Sequence, residues 1–262
     1  MLLSIITINY NNKKGLEQTL NSISKQTYQD YELIIIDGGS KDGSIDIIHQ
    51  YENRFKNLYY KSEKDHGIYN AMNKGIDLAH GNYCIFMNSG DCFFNNRSIE
   101  YSIPYLKTNI DIISGIAISN TYKMIPVKPE NLSLSFFLKN SLNHQSTFIK
   151  RQLLVQNHYN ENYRIVSDTE FFFKVLILDN CSYLNIPINV SFCEEAGTSG
   201  NLQASLEERY IAIKKLLPKR FENDIEFIIK YNNPVVRKFG DAVYNNFFRF
   251  LYDKLIRRGG RD

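Results

Sequence analysis

The chain has 262 residues, 43% of them hydrophobic, and its 31 basic against 28 acidic side chains leave a net charge of +3. That length suits one large α/β domain with at most a small appendage, and that hydrophobic share excludes a disordered chain. The even charge balance excludes a general nucleic-acid-binding surface, so no nucleic acid is expected as a partner.

The apolar run 2–8 is rich in β-branched residues and reads as a buried strand. It is too short to span a membrane and shows neither a basic leader nor a small-residue cleavage site. Cys84, Cys92, Cys181 and Cys193 have no C-x-x-C spacing and read as reduced, buried thiols. Together these features predict a cytoplasmic protein. Leu16, Leu20 and Ile23 follow at helical spacing, and 31–36 is a second strand ending in Asp37-Gly38-Gly39-Ser40. A helix with Ile45, Ile48 and Tyr51 on one side comes next, then a strand at 57–61, a helix at 68–79 and a strand at 83–87. Such alternation predicts βαβ units and a parallel sheet covered by helices on both faces.

Beyond residue 100 the pattern loosens. Strands are expected at 111–117, 145–149 and 183–192, an apolar helix capped by Asp168 at 168–178, and an amphipathic helix at 204–217 ended by Pro218. A helical stretch at 235–258 interleaves Lys238, Arg249, Lys254, Arg257 and Arg258 with Phe239, Tyr244, Phe247, Phe248 and Phe250. It reads either as a helix lying on an anionic membrane surface or as one packing on the core or on a second subunit of a homodimer.

Ligands of open parallel sheets bind beyond the carboxyl ends of the strands. That rule selects Asn9-Tyr10, the turn after Asp37, 62–65 and Asn88-Ser89-Gly90-Asp91. Asp37 is suited to accept hydrogen bonds from a nucleoside, although the same residues also make an ordinary strand-to-helix turn. Without G-x-G-x-x-G, the turn gives no support to a nicotinamide cofactor. Asp91, at a strand end, is suited to hold a divalent cation against a diphosphate leaving group, or else to close a turn. Asp168 is suited either to general-base chemistry or to helix capping, with Glu170 in reserve. His144 is a candidate for phosphate or metal binding, or a ring that is merely hydrogen-bonded.

Taken together, these segments resemble the family 2 glycosyltransferases of the GT-A fold. The resemblance rests on Ser4-Ile5-Ile6-Thr7-Ile8-Asn9-Tyr10-Asn11, on 22–44 with Asp37-Gly38-Gly39-Ser40, on Asp65-His66-Gly67-Ile68-Tyr69-Asn70-Ala71-Met72-Asn73, and on Asn88-Ser89-Gly90-Asp91. It is dense over 3–95, fainter over 143–200 and absent beyond.

The resemblance implies a GT-A-like, Rossmann-like domain over 1–200, with a nucleotide-binding half at 1–95 and an acceptor half at 96–200. A C-terminal helical extension follows at 201–262. It implies an inverting enzyme that moves a sugar from a nucleotide-sugar donor, favouring UDP, to an acceptor hydroxyl. The acceptor would be a saccharide, free or lipid-linked, in bacterial surface polysaccharide assembly, with the protein cytoplasmic or peripheral at the inner membrane face.

Donor contacts would come from Thr7, Tyr10, Asp37, Asp65, Asn73 and Ser89. Asp91 would hold Mn2+ or Mg2+, Asp168 would be the catalytic base, and Gly197-Thr198-Ser199 would close over the donor. Two departures stand out: Gly38 replaces a second Asp that often reads uracil, and Ser89 and Gly90 replace acidic residues of the metal element. The competing readings are a sugar nucleotidyltransferase, which would want a Gly-rich basic loop where Asn9-Tyr10-Asn11-Asn12 stands, and a nonenzymatic nucleotide-sugar-binding partner of a synthase.

Overall fold

The run of β-branched residues after Leu2 forms β1 (Leu3–Asn9), buried along its whole length because helices cover both faces of the sheet. The computed structural model describes residues 1–118, 123–124, 131–193 and 202–231, so the stretch 235–258 and the loop at 197–199 lie outside the described residues.

The first half repeats a strand-helix unit. Helix α1 (Lys13–Ser24) starts at Asn12, whose side chain accepts from the Gly15 amide, and it buries Leu16, Thr19, Leu20 and Ile23 at helical spacing. Strand β2 (Tyr31–Asp37), helix α2 (Ser44–Tyr51), strand β3 (Leu58–Ser62), helix α3 (Ile68–Leu78) and strand β4 (Tyr83–Phe86) follow. β1 pairs in parallel with β2 and β4, and β2 with β3. The register aligns Asn9 with Asp37 and Asp37 with Ser62, which gathers the strand ends on one edge. Helix α3 lies tight on this sheet because residue 75 is glycine: a Cβ there would come within 2.5 Å of Ile6 Cγ2.

The second half is mixed. Strand β5 (Cys92–Phe93), α4 (Ser98–Leu106), β6 (Ile112–Ile118), β7 (Lys123–Met124), α5 (Leu134–Phe137), β8 (Thr147–Lys150), α6 (Arg151–Gln156), α7 (Ser167–Phe173) and β9 (Tyr183–Phe192) follow. The sheet order is β3-β2-β1-β4-β8-β6-β9-β5, with β7 on β6. β8 runs antiparallel between β4 and β6, β5 runs antiparallel to β9, and β6 and β9 are parallel. The parallel expectation therefore holds through β4 and gives way at β8 and β5, which run antiparallel to their neighbours. Phe86, Phe137, Phe148, Phe172 and Phe173 are the largest wholly buried side chains, each contributing on the order of 2–3 kcal/mol by burial.

Two local expectations are corrected. Helix α7 is preceded by Val166 as its cap residue, with no side-chain cap bond, so Asp168 sits inside the first turn and does not cap it. The helix also passes into a π turn over Lys174–Leu178.

The chain divides into two compact units, Met1–Ile213 and Lys214–Asp262. The first runs through most of α8 (Leu202–Leu216). In the second, α9 (Glu222–Tyr231) begins after Pro218, and Lys214 pairs with Glu222 at 3.5 Å. Among the described residues no helix is long and apolar enough to cross a membrane.

Candidate active site

The strand ends are tied side to side. Asn9, the last residue of β1, donates from Nδ2 to Asp37 Oδ1 at 2.8 Å and accepts from Ser89 Oγ at 2.7 Å. One amide thus joins the ends of β2 and β1 to the turn after β4. Asp37 is buried and also accepts from Ser40 Oγ at 2.6 Å, Ser62 Oγ at 2.7 Å, Ser40 N at 2.9 Å and Gly39 N at 3.1 Å. Burial opposes its charge, yet the bonds from Ser40, Ser62 and Asn9 outweigh it and hold its pKa below the usual carboxylate range. Five donors fill this carboxylate, so Asp37 holds the turn in shape.

Gly38 leaves a gap that two neighbours enter. A Cβ at 38 would lie 2.5 Å from Asp65 Oδ2 and 3.0 Å from Tyr10 Cδ2. The Asp65 carboxylate therefore stands in the space that a side chain at 38 would need. Tyr10 is 65% exposed, so its ring is open to a ligand. Thr7 is fully buried with its hydroxyl unpartnered, inside the sheet and below this surface.

Asn73 is also engaged. Its Nδ2 donates to Tyr159 O at 2.9 Å and Glu161 Oε1 at 3.0 Å, and its Oδ1 accepts from Tyr159 N at 2.9 Å. Asn73 thereby clamps segment 159–161 to α3. Between that segment and the start of α3 opens a cavity of about 300 Å³, lined by His66, Asn70, Glu161, Asn162, Tyr163 and Arg164 among others.

The turn carrying Asp91 is pinned by a residue that sequence reasoning missed. Thr19 of α1 accepts from Gly90 N at 3.0 Å and approaches Asp91 O at 2.7 Å and Asn88 O at 3.1 Å. Its one visible signal is a hydroxyl on the apolar face of α1. Ser89 is tied to Asn9 and to Asn12, whose Nδ2 donates to Ser89 O at 3.1 Å. Among the described residues, no three His, Cys, Asp or Glu side chains assemble as a metal cage. The carboxylate of Asp91 is nevertheless of the oxygen type that suits a hard divalent ion whose other positions are filled by phosphate oxygens and water.

Asp168 and the Asp91 turn meet through His144. His144 Nδ1 lies 3.3 Å from Asp168 Oδ2, and Nε2 lies 3.3 Å from Asn88 Nδ2. A carboxylate only accepts, so Nδ1 carries the proton, and Nε2 faces the Asn88 side-chain amide, whose oxygen or nitrogen can meet it according to the charge of the ring. Burial disfavours a charged ring, but Asp168 by hydrogen bond and charge, and Asp91 by charge, raise the His144 pKa above its usual value. Asp168 Oδ1 accepts from Thr169 N at 2.7 Å and lies 3.4 Å from the Tyr69 hydroxyl. Phe86 meets the His144 ring edge-on, Tyr159 packs on Phe86, and Phe171 on Tyr159. The result is a carboxylate held by His144, Thr169 and Tyr69 beside a polar turn, an arrangement suited to taking a proton from a bound hydroxyl.

The comparisons with known proteins bear on the family and the fold. The model of glycosyl transferase family 2 matches residues 4–156. A PGL/p-HBAD biosynthesis glycosyltransferase of Mycobacterium bovis is 30% identical over 174 residues, covering 65% of this chain and 68% of that protein. An uncharacterized glycosyltransferase of Mycobacterium tuberculosis is 31% identical over 182 residues, covering 67% and 69%. Among solved structures, S. aureus TarS 1–349 in complex with UDP-GlcNAc superposes with a TM-score of 0.67 at 17% identity, over 86% of this chain and 70% of that one. Against a longer TarS chain the match spans 42% of its length. The mannosyltransferase PcManGT of Pyrobaculum calidifontis, with GDP-Man and Mn2+, gives a TM-score of 0.63 at 16% identity, over 87% and 69%. With the strand-end site, the shared fold and a family match over more than half its length, this chain belongs to glycosyltransferase family 2 and is a GT-A-fold glycosyltransferase.

Proposed function

We propose that this enzyme transfers a sugar from a UDP-sugar to an acceptor hydroxyl with inversion, Asp168 acting as general base. The observation that carries the reading is the His144 bridge, which sets Asp168 and the Asp91 turn on opposite sides of one ring. The acceptor oxygen attacks the anomeric carbon, its proton passes to Asp168, and the bond to the diphosphate breaks with the electron pair leaving on UDP. Attack opposite the leaving group inverts the centre.

Asp91 would hold a divalent ion, which when bound neutralises charge on the departing diphosphate. The Mn2+ in the PcManGT structure supports a divalent ion as a partner of this fold. Tyr10, Asp65 and the open face over Gly38 receive the nucleoside, while Asp37, Ser89 and Asn73 hold the surfaces around it. Asp65 supplies a carboxylate where residue 38 has none, and the UDP-GlcNAc bound to TarS supports a uridine donor. The cavity beside His66 and Glu161 adjoins Tyr69, and through it Asp168, which suits it to an acceptor saccharide. A lipid-linked acceptor in bacterial surface polysaccharide assembly, reached from the inner membrane face, fits the basic aromatic sequence at 235–258.

Thermal stability with UDP, GDP and CMP, each with and without manganese, tests the donor site. A ligand that binds only the native state raises the melting temperature. A manganese-dependent shift with UDP is expected. Absence of any shift with all three nucleotides would overturn the donor assignment.

A further inference from the structure

The segment that delivers Asp168 is not held by its own helix. The amides of 164–166 precede helix α7 and lie outside its ladder, so they need an acceptor from elsewhere. They find one in a single carboxylate on α8. Glu208 Oε1 accepts from Arg164 N at 2.8 Å, and Oε2 accepts from Ile165 N at 2.7 Å and Val166 N at 3.1 Å. Three consecutive amides converge on one side chain more than 40 residues along the chain.

The other side of the segment is held as well. The Tyr69 hydroxyl donates to Ile165 O at 2.7 Å, and the same hydroxyl lies 3.4 Å from Asp168 Oδ1. One turn beyond Glu208, Ala212 packs with Tyr163 and Val166 in a small apolar cluster. Between them, Arg209 is half-buried, its Nε has no hydrogen-bond partner among the described residues, and the charge of Asp168 acts on it.

We propose that Glu208 is a positioning residue for the general base: its carboxylate fixes the 164–166 backbone, and with it the direction from which Asp168 meets the acceptor hydroxyl. The inference rests on the proposed role of Asp168. Bonds from amides to a carboxylate are charge-assisted and stronger than neutral ones, so no neutral side chain replaces all three equally. A base displaced by about 1 Å loses on the order of 100-fold in rate while substrate binding, made elsewhere, survives.

The test uses the full chain as wild type, Glu208→Ala, Glu208→Gln and Asp168→Asn. Release of UDP from UDP-N-acetylglucosamine, UDP-glucose and UDP-galactose is followed, and the UDP-induced thermal shift is measured in parallel. Glu208→Ala is expected to lower kcat about 100-fold with donor KM within about threefold and the UDP shift intact. Glu208→Gln is expected to recover part of the rate, because its amide oxygen still accepts from two of the amides. Hydrogen exchange at 164–166 should accelerate in Glu208→Ala and less so in Glu208→Gln.

A Glu208→Ala kcat within threefold of wild type would overturn the inference, as would loss of UDP binding in step with kcat. Should the alanine variant not fold, Glu208→Gln and its exchange at 164–166 decide alone. The two readings fail separately: an inactive Asp168→Asn beside a normal Glu208→Ala sinks only the positioning role. Normal turnover by Asp168→Asn sinks the base itself.

Discussion

Asp168 and His144 meet at 3.3 Å, Oδ2 to Nδ1, and the far nitrogen of that ring reaches the Asn88 amide of the turn that carries Asp91. Replacing Asp168 by Asn removes the charge that raises the His144 pKa against its burial. The His144 pKa is therefore expected to fall in Asp168→Asn, together with a loss of transfer of about 100- to 10,000-fold. Imidazole NMR titration, with His144→Gln to assign the resonance, checks the first effect, and an unmoved titration would sever the pair.

The same pair makes stability depend on pH. A His whose pKa is raised in the folded state contributes stability that is complete below its unfolded value of about 6.5 and fades as pH climbs through the folded value. The melting-temperature gap between wild type and His144→Gln should be widest near pH 5.5 and shrink by pH 8. A gap that grows with pH would contradict the sign.

Asp37→Asn keeps the size of the side chain but turns one acceptor end into a donor among five donors. A stability loss of about 2–4 kcal/mol is expected at pH 7. Because the folded pKa is lowered, this contribution is present above the unfolded value of about 3.9 and is lost as pH falls through the folded value. Denaturant midpoints of both proteins should therefore converge in acid.

Gly38→Ala sets a methyl group against Asp65 and Tyr10. Asp65 also accepts from the Gly67 amide at 3.1 Å, so it cannot swing aside without losing that bond. Calorimetry should find UDP bound about tenfold more weakly, a change of about 1.4 kcal/mol, in a protein that melts close to wild type. Unchanged affinity would move the nucleoside away from Gly38.

Thr19→Val preserves shape while removing the hydroxyl that pins 88–91. The expected loss is about 1–3 kcal/mol of stability. The manganese-dependent part of any nucleotide shift should suffer more than the metal-free part. Equal losses in both would detach Thr19 from the Asp91 turn.

The first half of the fold was legible because its strands are continuous apolar runs and its helices carry one apolar stripe. β1, β2, β4 and α3 fall within a residue or two of their sequence-based bounds. In the second half β9 was legible to the residue. α4 was hidden by Pro104 inside it, and β5 by its length of two residues. At the site, the strand-end rule pointed to segments that the structure brings to one edge of the sheet, while the bonds their side chains make within the chain were not legible. Asp37 and Asn73 are chemically apt for a ligand, yet their bonds are taken up by the chain. Thr19 and Glu208 were invisible for the opposite reason: each meets its partners across more than 40 residues, and no local pattern records that.

Gly75 has a consequence for how this site changes over generations. Helix α3, which carries Tyr69 in its first turn, rests on β1 where Ile6 fills the space a larger residue at 75 would take. Positions 6 and 75 are therefore one inherited unit: a step up in size at one survives only with a step down at the other. Among related sequences the two should covary, and lineages that exchange their sizes should keep Tyr69 in reach of the base while the surrounding loops diversify.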